Sequence, residues 1–203
     1  MAVLGDSTGN EDSEWVHLLT LALAEKTGRP AEVHTWSVDT ESYGMPKKYT
    51  GDGEPIIVWN ASAPGKHTGY SLDHCHDMVP QRPDMLIVNH GHNQADARDT
   101  SEEVQSIANW ARTSWRQPPA LAVTLQNPRT DALADEHARI VARLRQDVPA
   151  QGAAILIDVF SAFEASHDVS ALLRPDGFHP SDAGETLWAD VAWRSLGLHE
   201  VLP

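Results

Sequence analysis

The sequence predicts a single domain over residues 1–203 with an α/β fold, a three-layer sandwich built on a doubly wound, mostly parallel, five-stranded sheet. Short runs of apolar residues recur along the chain, and such continuous runs are typical of parallel strands that are buried on both faces. Amphipathic stretches with helical spacing separate most of these runs. Strands that alternate with helices favour a parallel sheet with a helical layer on each face.

The first half of the chain begins with a strand and a helix. Residues 2–4 are apolar and predict a buried strand, and the helical spacing of apolar residues over 13–26 predicts the helix that follows. Residues 32–36 alternate as a strand does, and residues 56–59 form another apolar run. Between these two segments, residues 39–55 are rich in Gly, Pro and Tyr, which predicts a loop excursion or a hairpin at the edge of the sheet.

Strands and helices alternate regularly in the second half of the chain. Apolar runs predict strands at residues 85–88, 120–124 and 154–157. Helices are predicted over residues 101–116, 131–147 and 181–196. Thr100 or Ser101 is the expected N-cap of the first of these helices and Ser181 that of the last, because hydroxyl side chains accept hydrogen bonds from the free N–H groups of a first turn.

Composition and charge exclude several classes of function. The chain has 15 Lys and Arg residues against 29 Asp and Glu residues, and its formal net charge is −14. Such a charge repels phosphate backbones and anionic lipids, so we expect no nucleic-acid partner. No stretch is long and apolar enough to predict insertion into a membrane. The N-terminal residues show no signal-peptide pattern, and a cytoplasmic enzyme or a domain of a secreted or virion protein both fit.

Polar segments follow the predicted strands, at the edge of the sheet where ligands bind in folds of this class. Residues 5–7 (Gly-Asp-Ser) end the first strand, residues 60–65 follow a second apolar run, and residues 91–93 (Gly-His-Asn) follow a third. Residues 176–179 (Asp-Gly-Phe-His) precede the last helix. Taken alone, each segment is explained at least as well by turn and cap residues.

The four segments together carry the groups that acyl transfer needs. A serine hydroxyl is a poor nucleophile until an adjacent base takes its proton. An Asp three residues before a His can accept a hydrogen bond from one ring nitrogen and leave the other nitrogen free to act as that base. An Asn side chain can donate to a developing oxyanion.

In order and in content, the four segments resemble the motif blocks of the SGNH hydrolases, also called GDSL-type esterases. The blocks run from residue 5 to residue 179, so the resemblance covers nearly the whole chain. It implies a flavodoxin-like fold and a serine esterase that works through an acyl-enzyme intermediate and requires no metal or organic cofactor. Thr8 and Gln94 stand where the family often has Leu and Asp.

The resemblance also implies a role for each residue. Ser7 is the expected nucleophile, His179 the base and acid, and Asp176 the group that holds the imidazole in one tautomer. The oxyanion hole is expected from the backbone N–H groups of Ser7 and Gly65 and from the side-chain amide of Asn93. Because His179 must be neutral to accept a proton, activity should fall in acid.

Many polar residues near the strand ends predict a polar rim around this site. Further contacts with the substrate are expected from Asp6, Asn60, His67, His92 and Phe178. For His92, a supporting role behind the reacting groups is the alternative. A polar rim suits a small-molecule or carbohydrate ester with a short acyl group, such as O-acetyl. A lipase or lysophospholipase, a thioesterase, and an inactive carbohydrate- or protein-binding module of the same fold are the other readings.

Two further patterns compete less well for a function. Residues 73–77 (Asp-His-Cys-His-Asp) are rich in potential metal ligands, but their spacing matches no usual zinc site, so no metal is expected. Cys75 is the lone cysteine, which excludes an internal disulfide, and it follows no strand end that would mark it as a nucleophile. Most of the seven Trp residues lie at helical positions and are expected to pack in the interior.

Overall fold

The computed structural model describes residues 1–150, 152 and 154–202, and within them an eight-stranded sheet lies between two layers of helices. The strands are Ala2–Gly5 (β1), Ala31–Ser37 (β2), Ser42–Tyr43 (β3), Lys47–Tyr49 (β4), Ile56–Ser62 (β5), Met85–Asn89 (β6), Ala120–Leu125 (β7) and Ala154–Asp158 (β8). The α-helices are Trp15–Thr27 (α1), Thr68–Asp73 (α2), Cys75–Met78 (α3), Ala97–Ser114 (α4), Ala134–Ala150 (α5), Val159–Glu164 (α6), Asp182–Ser195 (α7) and Leu198–Val201 (α8).

Parallel strands form the body of the sheet, in the order β2, β5, β1, β6, β7, β8. The predicted number of five strands is wrong, because all six predicted strand segments join the parallel sheet and two more strands, β3 and β4, pair antiparallel with β2. Near the edge, β2 alternates between buried and half-buried positions, whereas the central β1 is buried throughout. This difference explains why the two segments look so unlike each other in sequence.

The excursion at residues 39–55 contains the two short antiparallel strands. β3 pairs with the end of β2, and β4 pairs with its beginning. Lys48 of β4 is exposed, and its Nζ donates to Glu32 of β2 at 2.7 Å. Charged residues of this kind protect an exposed sheet edge against pairing with another chain.

The central strands send alternate side chains into two separate cores. On one face, Leu4 of β1 packs with Ile107 of α4 and with α5. On the other face, Val3 packs with α1 and α7, where the rings of Trp15 and Trp188 stack at 5.7 Å. Full burial of one such side chain stabilises the fold by roughly 1.5–3 kcal/mol. Burial on both faces therefore produces the continuous apolar runs that predict a three-layer α/β/α fold.

Helix boundaries differ from the prediction mainly at α4, which begins at Ala97. Asp96, rather than Thr100 or Ser101, is its N-cap, and the carboxylate accepts hydrogen bonds from two backbone N–H groups of the first turn. Ser181 caps α7 as predicted. The four short helices α2, α3, α6 and α8 were not predicted, because four to six residues do not show a periodic pattern. Among the residues described, no helix has the length and apolar character to cross a membrane.

Candidate active site

The polar segments meet at one edge of the sheet because three neighbouring strands end there. Gly5 at the end of β1 is level with Ser62 of β5 and with Asn89 of β6. Ser7 follows shortly after β1, and Asn93 follows shortly after β6. Parallel strands carry their carboxyl ends on the same side, so the segments lie side by side.

Ser7, His179 and Asp176 form a hydrogen-bonded row, although the serine and the histidine are 172 residues apart in sequence. Ser7 Oγ lies 2.9 Å from His179 Nε2. His179 Nδ1 lies 2.9 Å from Asp176 Oδ2. A proton on Nδ1, donated to the carboxylate, leaves Nε2 with the lone pair that can accept the serine proton. The row therefore has the geometry of a base held in one tautomer beside a hydroxyl group.

The second carboxylate oxygen of Asp176 holds the loop that carries His179. Asp176 Oδ1 accepts hydrogen bonds from the backbone N–H groups of Phe178 and His179, each at 3.0 Å. Partial burial favours the protonated carboxyl, but the hydrogen bonds from these two residues outweigh it and lower the pKa of Asp176 below its ordinary value. Asp176 is therefore ionised at neutral pH, where it can stabilise a protonated imidazole.

The loop after β7 clamps the loop of Asp176 and His179. Thr130 N–H donates to the carbonyl oxygen of Gly177 at 2.7 Å. Gly177 has a left-handed φ of 79°, and a Cβ atom at this position would lie 2.6 Å from Thr130 Oγ1. Glycine is therefore required both by the backbone conformation and by the close approach.

The predicted oxyanion donors lie on neighbouring loops. Gly65 adopts a left-handed φ of 72° in the turn after β5. Asn93 Nδ2 donates to the carbonyl oxygen of Lys66 at 3.1 Å, so the Asn93 side chain lies against the turn of Gly65. An amide group has two hydrogens, and the second remains for another acceptor. Within the part of the chain that the structure describes, the N–H groups of Ser7 and Gly65 donate to no protein oxygen.

Three of the residues expected to contact the substrate are buried, which corrects their expected role. Asp6 and Asn60 are 0% exposed and His92 is 3% exposed. Asn60 Nδ2 donates to the carbonyl oxygen of Gly9 at 2.7 Å and so ties the loop after Ser7 to β5. These side chains have no surface for a ligand, and their polar groups hold the loops of the site instead.

Asp6 belongs to a buried polar network below Ser7. Its carboxylate accepts hydrogen bonds from Thr8 Oγ1 at 2.9 Å and from Gln126 Nε2 at 3.0 Å. Asn89 Nδ2 donates to Thr8 Oγ1 at 3.0 Å. The network accounts for Thr8, since the Leu that is common here in SGNH hydrolases would leave buried polar groups unpaired at about 1–3 kcal/mol each.

The start of α2 forms the rim beside Asn93. His67, an expected substrate contact, is exposed, and its Nδ1 accepts a hydrogen bond from a backbone N–H group of the first turn. Gln94 joins α2 to α4, because its side chain accepts from Thr68 N–H at 3.0 Å and donates to Glu103 at 3.1 Å. Gln94 therefore ties two helices together beside the site.

A group that we call the histidine network supports the site from the side of α5. It consists of His92, His137 and the backbone carbonyl of Asn127, which lies 3.0 and 2.9 Å from the two Nε2 atoms. Burial lowers the pKa of His92 to about 4 and that of His137 to about 3, so both rings are neutral at neutral pH. Asn127 Nδ2 donates to the carbonyl oxygen of Phe178 at 2.9 Å. Arg129 lies 4.9 Å from the Phe178 ring centre, which connects the network to the loop of His179.

A second group, the carboxylate network, supports the site from the opposite helical layer. It consists of Glu14 before α1, Glu185 in the first turn of α7, and Arg174. Both glutamates are buried. Burial raises the pKa of both carboxyls, and together with the charge of Glu14 it raises the pKa of Glu185 to about 9. Glu185 therefore keeps its proton at neutral pH.

Arg174 connects the two loops of the site. Its guanidinium group lies 3.6 Å from Glu14, in the loop after Ser7. Its Nε donates to the carbonyl oxygen of Pro180 at 3.0 Å, and its backbone N–H donates to that of His179 at 2.7 Å. One residue therefore contacts both the segment after the serine and the segment of the histidine.

The supporting role of His92 was the stated alternative, but the other residues of the two networks were missed in the sequence. Residues 126–131 follow β7 as the other polar segments follow β1, β5 and β6, and this position was the available signal. No sequence pattern marked Glu185, because its carboxylate accepts a hydrogen bond from the backbone N–H group of Trp15, which lies 170 residues away in sequence.

The structure also places Cys75 and the potential metal ligands of residues 73–77. Cys75 is buried, its Sγ donates to the carbonyl oxygen of Ser71, and burial raises the pKa of its thiol to about 12. The thiol is therefore protonated and inaccessible at neutral pH. Among the described residues, no group of three or more His, Cys, Asp or Glu side chains is placed to hold a metal ion.

Known structures share this architecture at low sequence identity. A lipase/acylhydrolase from Enterococcus faecalis is 16% identical, with a TM-score of 0.71 over 98% of this chain and 95% of that one. The α/β hydrolase enzyme LAE5 from the metagenome of Lake Arreo, Spain, is 17% identical, with a TM-score of 0.70 over 97% and 94%. The psychrotrophic esterase EstA from Pseudoalteromonas sp. is 14% identical, with a TM-score of 0.65 over 98% and 96%.

The family is shown by the sequence. No curated protein matches the chain significantly. The profile of the family described as GDSL-like Lipase/Acylhydrolase, however, matches residues 1–192. The predicted resemblance and the predicted α/β/α fold class are thereby confirmed, and the protein is a carboxylic ester hydrolase. The chain belongs to the family of GDSL-like lipases and acylhydrolases.

Proposed function

We propose that the protein hydrolyses esters of short acyl groups, such as O-acetyl groups on carbohydrates, through an acyl-enzyme intermediate on Ser7. The observation that carries the proposal is the row of Ser7, His179 and Asp176, with two successive contacts of 2.9 Å. At this distance His179 Nε2 can take the hydroxyl proton as Ser7 Oγ attacks a carbonyl carbon.

The reaction has two halves. In the first, Ser7 Oγ bonds to the acyl carbon and its proton passes to His179 Nε2. The tetrahedral intermediate then breaks its bond to the alcohol oxygen, which leaves with that proton. In the second half, water gives a proton to His179 and attacks the acyl carbon. The carboxylic acid is released, the proton returns to Ser7 Oγ, and Asp176 stabilises the imidazolium in both halves.

Three hydrogen-bond donors stabilise the negative charge of the tetrahedral intermediate: the N–H groups of Ser7 and Gly65 and the side-chain amide of Asn93. The hydrogen bond from Asn93 to Lys66, at 3.1 Å, supports a shared role for Asn93 and the turn of Gly65. Removal of one donor from such an oxyanion hole costs about 10²–10³ in kcat.

The rim of the site supports a short acyl group and a polar alcohol. A depression beside Asn93 is lined by polar residues and one alanine: His67, Asn93, Gln94, Ala95, Asp96, Asp99 and Glu103. A long acyl chain needs a continuous apolar surface, which such a lining does not offer. The net charge of −14 disfavours a strongly anionic ester.

Hydrolysis of p-nitrophenyl acetate and p-nitrophenyl octanoate tests the proposal. The wild type should prefer the acetate, and Ser7→Ala should lose on the order of 10⁴-fold or more of kcat. Ser106→Ala, which removes an exposed serine hydroxyl on α4, is the matched control and should keep wild-type rates. Activity retained in Ser7→Ala would exclude Ser7 as the nucleophile. A preference for octanoate would exclude the short acyl group.

A further inference from the structure

A groove opens at the carboxyl end of β2, beside the turn of Gly65. It has a volume of about 400 Å³ and is lined by residues 35–39, Asn10 and Pro64; we call it the β2 groove. Asn10 follows Ser7 by three positions, and Pro64 directly precedes Gly65. The groove is therefore bordered by the loop that follows the proposed nucleophile and by the turn that carries one of the proposed oxyanion donors.

The sheet holds the groove and the reacting groups together. Thr35 of β2 is in register with Asn60 of β5. Asn60 Nδ2 in turn donates to the carbonyl oxygen of Gly9 at 2.7 Å, in the loop that carries Asn10. Backbone pairing thus joins a wall of the groove to β5, and the buried Asn60 side chain joins β5 to the loop after Ser7.

The lining offers hydrogen-bonding groups of both kinds. Thr35 and Ser37 carry hydroxyl groups, Asn10 carries an amide and Asp39 carries a carboxylate. The first three are half-buried and Asp39 is exposed. The hydroxyl groups of a sugar both donate and accept, so this set fits them. A carboxylate in a lining without Lys or Arg disfavours a phosphate or carboxylate ligand.

Contacts within the protein hold residues 36–41, the segment that includes most of this wall. Trp36 is 4% exposed, and its Nε1–H donates to the Tyr70 hydroxyl at 3.2 Å. Glu41 has a left-handed φ of 45°, and its carboxylate lies 3.4 Å from His74 Nε2. A non-glycine residue keeps such a conformation only where its surroundings hold it. A wall that is already ordered costs less conformational entropy when a ligand binds.

We propose that the β2 groove binds the alcohol part of the ester, and that this part is an uncharged sugar whose hydroxyl groups bond to Asp39 and Thr35. The inference rests on the proposed function, because it places the sugar of an O-acyl ester beside the carbon that Ser7 attacks. The acyl group then lies outside the groove. The turn between β2 and β3 becomes the element that selects the alcohol.

The kinetic test compares two esters with the same acyl group, a mono-O-acetylated methyl glucoside and p-nitrophenyl acetate. Asp39→Asn and Thr35→Val each alter one hydrogen-bonding group at nearly constant size. The ratio of kcat/KM for the sugar ester to kcat/KM for p-nitrophenyl acetate should fall about tenfold in each variant, mainly through KM. Asp52→Asn changes an exposed carboxylate in the loop before β5, at the end of the sheet where the parallel strands begin, and should keep the wild-type ratio. Wild-type ratios in both groove variants overturn the proposal.

A binding test separates the groove from the reaction. Backbone amide signals of Ser7→Ala protein are followed by NMR during titration with methyl glucoside and, separately, with octanoate. The glucoside should shift the amides of residues 35–39, and octanoate should not. Shifts of this segment by octanoate, or glucoside shifts confined to other segments, overturn the assignment. If Ser7→Ala keeps wild-type activity while the groove still binds the glucoside, the proposed function fails and the groove assignment stands.

Discussion

The histidine network and the carboxylate network support the same site from opposite faces of the sheet, but with different chemistry. The histidine network uses two neutral rings that contact one carbonyl oxygen. The carboxylate network uses two buried acids and one arginine, and the pKa of one acid is raised to about 9. Burial moves the pKa values of the two networks in opposite directions, because it disfavours the charged form of each group. The histidine network therefore stabilises the fold less as pH falls, and the carboxylate network stabilises it less as pH rises.

The largest expected effect is acid destabilisation through the histidine network. The pKa values of His92 and His137, about 4 and about 3, lie below the ordinary value of 6.5 that applies in the unfolded chain. As pH falls from 6.5 towards these values, the unfolded chain binds protons that the native state does not. The free energy of unfolding should therefore fall by up to about 1.4 kcal/mol per pH unit for each ring.

Urea unfolding of the wild type and of His137→Gln, from about pH 7.5 to about pH 4.5, measures this effect. The variant should be less stable near neutral pH, because the fit around a buried ring is lost. It should also lose less stability on acidification, since one titrating ring is gone. Parallel curves for the two proteins would show that His137 does not contribute to acid unfolding.

The second largest effect is expected from the carboxylate network, as pH rises from about 4.5 to about 9. The pKa of Glu185 in the native state, about 9, lies above its ordinary value of 4.5. Between these values the native state holds a proton that the unfolded chain has lost, so stability should fall as pH rises, by up to about 1.4 kcal/mol per pH unit. Glu185→Gln keeps an acceptor for the Trp15 N–H group and has no proton to lose.

Thermal unfolding of Glu185→Gln between about pH 5 and about pH 9 tests this slope. The variant should be flatter than the wild type and more stable near about pH 8.5. Glu164→Gln, an exposed glutamate at the end of α6, is the control and should follow the wild type. If the variant keeps the wild-type dependence of stability on pH, Glu185 is not the group that causes it.

A smaller effect, on both stability and rate, is expected at Arg174. Arg174→Met leaves Glu14 buried without its opposite charge and removes the hydrogen bond to Pro180. Stability should fall by about 2 kcal/mol, and kcat for p-nitrophenyl acetate should fall about tenfold because His179 is held less well. Arg174→Lys restores the charge and should recover part of both losses. If kcat is unchanged in Arg174→Met, Arg174 does not position His179.

The smallest effect concerns the clamp between the loop after β7 and the loop of His179. Gly177→Ala and Gly53→Ala both place a side chain at a left-handed φ, 79° and 88°. Only at Gly177 does the new Cβ meet another residue, Thr130, since nothing lies within 4 Å at Gly53. Gly53→Ala should lose roughly 1 kcal/mol. Gly177→Ala should lose somewhat more because of the contact with Thr130, and only Gly177→Ala should lower kcat. Equal kcat values in the two variants would show that the clamp does not affect the reaction.

The sequence alone determined the features that neighbouring residues build. Asp176 and His179 lie three residues apart in one turn, so the sequence alone predicted their contact. Ser181 caps α7 through a bond to the third residue after it, which is equally local. Continuous apolar runs determined the parallel sheet and its two helical layers, because burial on both faces acts on each strand separately.

The tertiary structure decided what depends on distant segments. The pairing of β3 and β4 with β2 set the number of strands, and the position of β2 outside β5 created the groove beside Pro64. Asp6 stands next to Ser7 in sequence, but only packing against β6 and β7 buries it and directs its carboxylate to Gln126. Likewise Glu185 meets Trp15 only because α7 packs on α1. Burial and hydrogen bonds between distant segments depend on strand order and helix packing. A local pattern of residues predicts neither the strand order nor the helix packing.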